Sequence, residues 1–228
     1  KKLNINIIEY QHGLIAKSDI FYNFPHEVKE IKKDCLFPNE MRTYGNYWSN
    51  ILLNGNFLTK NKIKVVKYFF YLSTYISKKD KKDLKSFVNN RKIILVTTQT
   101  YLSEYFIIYL DNLIEVLDEE YCIIIKPHPN EKIEVYNKYL NYSDVLISNV
   151  STEFLLNIAN LHITIYSSTA FDALRYNLPS FYIYNENQMD YIYEIQEKIG
   201  GKILYDYKTK PWNLKNKLMV NSKEFFNE

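Results

Sequence analysis

Three short clusters in this 228-residue sequence combine residue types that can hold a phosphate or move a proton. The sharpest is Lys126-Pro127-His128-Pro129-Asn130-Glu131, directly after the apolar run Tyr121 to Ile125. Two prolines restrict the backbone before and after the imidazole, so His128 is pre-positioned. Beside a phosphate it can donate a charge-assisted hydrogen bond to a departing oxygen, a contribution of about 1.5–3 kcal/mol. As a general acid it would add a factor on the order of 100 to 10,000 in rate. A turn histidine with a structural hydrogen bond fits the same residues, and the local sequence leaves both open.

Ser167-Ser168-Thr169 stands ahead of the helix-like Ala170 to Arg175. Hydroxyls and unpaired backbone N–H groups there can cradle an anion, although an ordinary Ser/Thr helix cap uses the same residues. The third cluster is Glu9-Tyr10-Gln11-His12-Gly13. An unperturbed imidazole titrates near neutrality, so His12 is a candidate base with Glu9 as its competitor; a histidine that merely tethers the loop is the plainer alternative. His162 opens a strand and His26 follows Pro25, neither with ligand-spaced Cys, Asp or Glu, so no metal site is expected. The sequence also lacks a G-x-S-x-G elbow, a P-loop and a dinucleotide fingerprint.

The elements that must position these clusters read as α/β, a doubly wound, mostly parallel sheet. Apolar runs at Ile93 to Val96, Tyr121 to Ile125, Val145 to Ile147, Ile163 to Tyr166, Ser180 to Tyr184 and Lys202 to Tyr205 alternate with helix-length segments. Leu102 to Leu117 and Gln188 to Ile199 have helical spacing, Ser151 starts a capped helix, and Pro211 is expected to open a last helix whose Trp212, Leu214, Leu218 and Phe225 pack back. Upstream, Ile5 to Ile8 and Ile63 to Val66 read as strands and Tyr47 to Leu53 as a short helix. The charged run from Ser77 to Asp83 reads either as a domain junction or as a solvated helix end. The expected division is 1–85, a partial acceptor-side piece with linker, and 86–228, a Rossmann-like nucleotide-binding domain. Ligands bind beyond the carboxyl ends of such strands. The residues falling there are Thr97-Thr98-Gln99, the Lys126 to Glu131 cluster, Ser167-Ser168-Thr169 and Asn185-Glu186.

Composition removes other classes. With 29 basic and 26 acidic residues and a net charge of +3, no nucleic-acid partner is expected. The apolar stretch from Val65 to Ile76 is interrupted and shorter than the roughly 20 residues that span a bilayer. Cys35 and Cys122 are too few for a disulfide framework, and Cys122 lies in an apolar run, so a buried reduced thiol is expected there. A strand-like run begins almost at once with no signal peptide before it, so a cytoplasmic protein is expected. The chain is rich in Lys, Asn, Ile and Tyr, which fits AT-rich codon usage; its 22 tyrosines are accordingly not read as sugar-stacking platforms.

Taken together, Tyr10-Gln11-His12-Gly13, Lys126 to Glu131 and Ser167 to Leu174 resemble a group of bacterial GT-B enzymes. The group comprises capsule-type polysaccharide glycosyltransferases, bacterial sialyltransferases and polysialyltransferases, and teichoic-acid glycerophosphotransferases. Tyr44-Gly45-Asn46-Tyr47-Trp48 is similar to a pattern that follows the Q-H-G loop in capsule-type members. The resemblance implies a nucleotide-activated donor, metal-independent transfer with no cofactor, and an active site between two domains. It implies that His128 contacts the donor phosphate, that Ser167, Ser168 and Thr169 bind phosphate or nucleotide, and that His12 holds a catalytic position. The full expected sets are His12, His128 and Glu9 for catalysis, and Thr98, Gln99, Lys126, His128, Pro129, Glu131, Ser167, Ser168 and Thr169 for the donor. The expected function is sugar transfer from a CMP- or UDP-linked nucleotide sugar to a cell-surface glycan or glycolipid acceptor. The alternatives are polyol-phosphate transfer from a CDP-linked polyol and a non-catalytic nucleotide-binding fragment. Peripheral association with the inner face of the cytoplasmic membrane and oligomer formation accompany that expectation.

Overall fold

A computed structural model describes residues 5–25, 37–66, 76–216 and 225–226. His26, Cys35, Leu218 and most of the apolar stretch between Val65 and Ile76 lie outside the described residues. The chain forms two compact units, Lys1–Phe69 with Asn221–Glu228, and Phe70–Val220.

In the first unit β1 (Ile8–Tyr10), β2 (Glu40–Thr43) and β3 (Ile63–Val65) form a parallel sheet in that order. The first strand starts later than the Ile5 to Ile8 run suggests, because its pairing register is Ile8 with Glu40 through Tyr10 with Arg42. Glu-Met-Arg-Thr of β2 carries no apolar run and was missed by apolar patterning; it buries Met41 and Thr43 at a spacing of two. Helix α1 (Asn46–Asn54) follows, and its buried Trp48 donates from Nε1 to the Phe225 carbonyl at 3.0 Å. Phe225 therefore packs in this unit, with its ring 4.8 Å from that of Tyr47.

The second unit opens with α2 (Lys78–Val88), so the charged run is a helix start: the Ser77 hydroxyl accepts from the Asp80 N–H, and Leu84 is the buried residue of the helix. Then come β4 (Lys92–Thr97), α3 (Ser103–Glu115), β5 (Tyr121–Lys126), β6 (Val145–Ile147), α4 (Thr152–Ile158), β7 (Leu161–Thr164), α5 (Thr169–Leu174), β8 (Ser180–Ile183), α6 (Met189–Ile199) and β9 (Lys202–Leu204). All six strands are parallel, in the order β6-β5-β4-β7-β8-β9. The chain begins at the centre, builds outward through β6, then crosses to the other side of β4. The winding reverses between β4 and β7, and sheets of this topology bind ligands in a crevice beyond the carboxyl ends of the strands at such a reversal. Ile94, Leu95, Val96 and Cys122 to Ile125 have no exposed surface, as strands covered on both faces require. Pro211 opens a single 3₁₀ turn, Pro211–Asn213, rather than a helix; Trp212 stacks on Tyr121 at 4.7 Å and donates to Asp118.

Helix α6 ends on Gly200 (φ 83°) and Gly201 (φ 100°), both in the left-handed region. A Cβ on Gly201 would lie 2.4 Å from Tyr182 Cε2 and 2.7 Å from the Ser180 carbonyl. Gly201→Ala should therefore lower stability by about 2–5 kcal/mol, combining backbone and overpacking costs. Gly13 has no atom within 4 Å of such a Cβ and no left-handed φ, so Gly13→Ala should change stability by less than about 0.5 kcal/mol. Chemical denaturation of both variants measures the contrast.

Candidate functional site

Four residues leaving β4 bind alternately to the two sides of the crevice. Thr97 turns toward β7 and α5: its Oγ1 is 2.9 Å from His162 Nε2 and 3.0 Å from Thr169 Oγ1. Thr98 turns toward β5, donating from Oγ1 to the Glu131 carboxylate and accepting from the His128 N–H at 3.3 Å. Gln99 turns back to β7, its Oε1 accepting from the Tyr166 N–H at 3.0 Å. Thr100 again faces the β5 side, with Oγ1 3.0 Å from His128 Nδ1. Through these contacts the end of β4 and the turn that follows it stitch the Lys126 to Glu131 turn and the Ser167 to Thr169 turn to one strand end.

The β5 turn is held from within. Glu131 N donates to the His128 carbonyl at 2.9 Å, closing a turn with Pro129 in the position proline favours. The Glu131 carboxylate accepts from the His128 N–H at 2.8 Å and from Tyr136 OH at 2.9 Å, in addition to Thr98. Glu131, expected to meet the donor, thus spends its carboxylate on the turn. His128 itself is exposed. The Asn130 N–H donates to its Nδ1 at 3.1 Å, and a backbone N–H can only donate, so the neutral ring carries its proton on Nε2. Nε2–H is the group this ring offers to a ligand.

Lys126 ends β5, half-buried and without a carboxylate partner among the described residues. Burial lowers its pKa from the ordinary lysine value, since a charge leaving water without a counterion is disfavoured. An anion nearby would offset that cost.

On the other side the hydroxyls divide their duties. Thr169 points its hydroxyl inward to Thr97 and His162, and its N–H donates to Ser167 Oγ at 3.2 Å. The Ser168 hydroxyl caps nothing and has no partner among the described residues. Of the three expected ligands, Thr169 is structural here and Ser168 is available. Beneath them His162, with no exposed surface, bonds to Thr97 through Nε2 and to Ser180 Oγ at 2.8 Å through Nδ1. Burial holds this imidazole at about 3, hence neutral. Sequence reasoning passed over His162; its signal was a polar ring inside an apolar strand facing hydroxyl residues on both neighbouring strands.

A cavity of about 420 Å³ lies at the carboxyl end of β6, one strand beyond the His128 turn. Leu84, Leu146 and Val150 give it apolar walls, while Asp83, Ser148 and Asn149 are polar.

In the first unit Gln11 is buried and acts as a clamp: Oε1 accepts from Tyr44 N–H at 3.0 Å and Nε2 donates to the Gly13 carbonyl at 3.1 Å. His12 stands exposed between these two anchors. Glu9 accepts from the Tyr22 phenol, and burial with Glu9 and Asp19 nearby pushes that phenol up to about 12. Thr98, Gln99, Lys126, His128, Pro129, Glu131, Ser167, Ser168 and Thr169 share one sheet edge of the second unit; His12 and Glu9 belong to the first. Among the described residues no cluster of three or more His, Cys, Asp or Glu suits a metal ion, and no helix is long and apolar enough to cross a membrane.

Residues 89–218 match the family described as CDP-Glycerol:Poly(glycerophosphate) glycerophosphotransferase. No curated protein matches the sequence. Among solved structures, the wall teichoic acid polymerase TagF, as a histidine-to-asparagine variant soaked with CDPG, aligns with a TM-score of 0.56 at 18% identity, covering 86% of this chain and 52% of its own. Another TagF structure gives 0.53 at 18% identity over 88% and 56%. The chain spans about half the length of these proteins. The likeness shows the fold, a parallel-sheet α/β arrangement similar to that of TagF.

The buried His162 generates a stability prediction. An imidazole freed by unfolding titrates near 6.5, whereas the folded one stays neutral down to about 3. Between these values the unfolded chain binds more protons, so this contribution to stability is complete above pH 6.5 and declines as pH falls, by up to about 1.4 kcal/mol per pH unit. Urea unfolding of wild type and His162→Gln at pH 7, 6 and 5 should show the variant losing that share of the slope; equal slopes would exclude His162 as its source.

Proposed function

This chain belongs to the CDP-Glycerol:Poly(glycerophosphate) glycerophosphotransferase family, and from that premise we propose that it binds a CDP-linked polyol and transfers polyol phosphate to a hydroxyl of a cell-surface polymer. The observation that carries this reading is the alternating contact of Thr97 to Thr100, which joins the His128 turn and the Ser167 turn at one strand end. In the transfer, the acceptor oxygen attacks the polyol-bearing phosphorus, a new P–O bond forms, and the bond to the CMP phosphate oxygen breaks. CMP leaves with the electron pair. His128 Nε2–H donates to that oxygen as its charge develops, and Lys126 and the Ser168 hydroxyl stabilise the phosphates. The acceptor proton passes to a general base. The cavity beside β6 has room for the nucleoside, with apolar walls for the base. The donor is a substrate, and the reading calls for no cofactor and takes its positive charge from Lys126, with the His128 Nε2–H as a further donor, rather than from a metal.

Sugar transfer from a CMP- or UDP-linked donor uses the same phosphate contacts but breaks the bond at the anomeric carbon. Product analysis separates the two, because phosphorus enters the product only in polyol-phosphate transfer. Titration calorimetry should show CMP and CDP-glycerol binding, with UDP weaker; absence of binding by every nucleotide at millimolar concentration removes the reading. His128→Ala should lower kcat/KM by about 100- to 10,000-fold, with a melting temperature close to wild type because the ring is exposed. Unchanged nucleotide affinity and turnover with a lowered melting temperature would make His128 structural.

A further inference from the structure

Strands β4, β7, β8 and β9 are successive neighbours in the sheet, and each carries a tyrosine within a few residues of its carboxyl end: Tyr101, Tyr166, Tyr184 and Tyr205. With neighbouring strands about 4.8 Å apart, four of them place these residues along roughly 15 Å of one edge. The start of α6 adds two more. Tyr191 stacks on Tyr166 with ring centres 5.3 Å apart, Tyr193 OH lies 3.4 Å from Tyr205 OH, and Tyr205 tilts against Tyr184 at 5.3 Å. Tyr101, Tyr193 and Tyr205 are 97%, 51% and 62% exposed.

Tyr101 sits where the chain pays for its position. The Leu102 N–H donates to the Gln99 carbonyl at 3.2 Å, closing a turn whose third residue is Tyr101 at φ 68°. That position favours glycine or asparagine, and a bulky residue there is strained. No burial compensates, since the ring is in solvent; its neighbour Thr100 touches His128. At the β8 end, the Asn185 Nδ2 is buried without a hydrogen-bond partner, while its Oδ1 accepts from the Asn187 N–H. A buried amide donor left unmet by the chain is uncommon and costly.

We propose that this tyrosine row is a track for a neutral saccharide, the acceptor glycan of the transfer, running outward from the His128 crevice. A tyrosine offers an apolar face with a hydroxyl at its rim, which complements a pyranose with its apolar C–H face and hydroxyl edge. Charge argues against a polyol-phosphate polyanion: residues 98–101, 165–168, 184–188 and 205–206 contain no Lys or Arg but include Glu186 and Asp206. Phosphate chains are held by cations, and this edge supplies none beyond the crevice itself. The assignment of the saccharide as acceptor rests on the proposed transfer; its binding to the row does not.

Saturation-transfer NMR on the 228-residue chain, with maltohexaose, cellohexaose, N-acetylchitohexaose and a glycerol-phosphate hexamer as probes, tests the track. At least one neutral saccharide should bind, with Tyr101→Gly and Tyr205→Ala each weakening it by about fivefold or more. Tyr205→Phe, which keeps the ring, should stay within about twofold on the same reasoning. Tyr101→Gly should melt at or above the wild-type temperature, because glycine relieves the strain, so its lost affinity cannot be ascribed to misfolding. CMP affinity should be unchanged in all three variants. No binding of any neutral saccharide, equal binding by wild type and the alanine and glycine variants, or preferential binding of the glycerol-phosphate hexamer would each overturn the track. CMP binding without saccharide binding would overturn the track alone; saccharide binding without nucleotide binding would instead overturn the proposed transfer.

Discussion

The crevice depends on four consecutive side chains that cannot choose their directions independently. With β4 fixed near the centre of the sheet, its last residue and the three that lead into the following turn send Thr97 and Gln99 to one side and Thr98 and Thr100 to the other. Each then satisfies a partner that would otherwise be left wanting: a buried imidazole, a turn carboxylate, a backbone N–H, a histidine nitrogen. Hydroxyl and amide groups suit this task because they can donate and accept at once. Replacing Thr97 with an apolar residue would take the nearest partner from the buried His162 Nε2, at about 1–3 kcal/mol.

The electrostatics divide along the same line. Under the α5 side, His162 is neutral and its neighbours Thr97, Thr169 and Ser180 do not titrate, so that layer is stiff and uncharged near neutral pH. On the β5 side, Lys126 retains a partly desolvated cation without a counterion, and Nε2–H of His128 faces outward. An uncharged support thus lies below the crevice, and an unmatched positive charge stands at its β5 side. Pre-organised donors of this kind need little rearrangement when charge develops on a ligand.

The first unit repeats the device on a smaller scale. Gln11 fixes both flanks of His12 through backbone bonds, so the imidazole is exposed yet anchored. Gly13 contributes no left-handed conformation, and a Cβ there would meet nothing within 4 Å, so its part is to offer the carbonyl that Gln11 binds. In both units a histidine is flanked by a residue, Gln11 or Glu131, whose side chain bonds the local backbone.

Much was legible beforehand. The six strands of the second unit, the Ser151 cap and the Gly200-Gly201 stop follow from apolar runs and local chemistry, which need no partner to be recognised. The placement of three motifs at strand ends was legible because parallel sheets bind ligands there. Less local features were hidden. Strand β2 has no apolar run, the Pro211 segment forms one turn where a helix was expected, and Phe225 is drawn to Trp48 far away in sequence. The sequence by itself determined which residues could do chemistry and which strands they follow, since residue type and period are local properties. Tertiary structure alone decided that Glu131 and Thr169 serve the scaffold, that His162 lies beneath the crevice, and that tyrosines explicable by codon usage line one edge. The order in which strands pair is set by long-range burial, which no short window of residues contains.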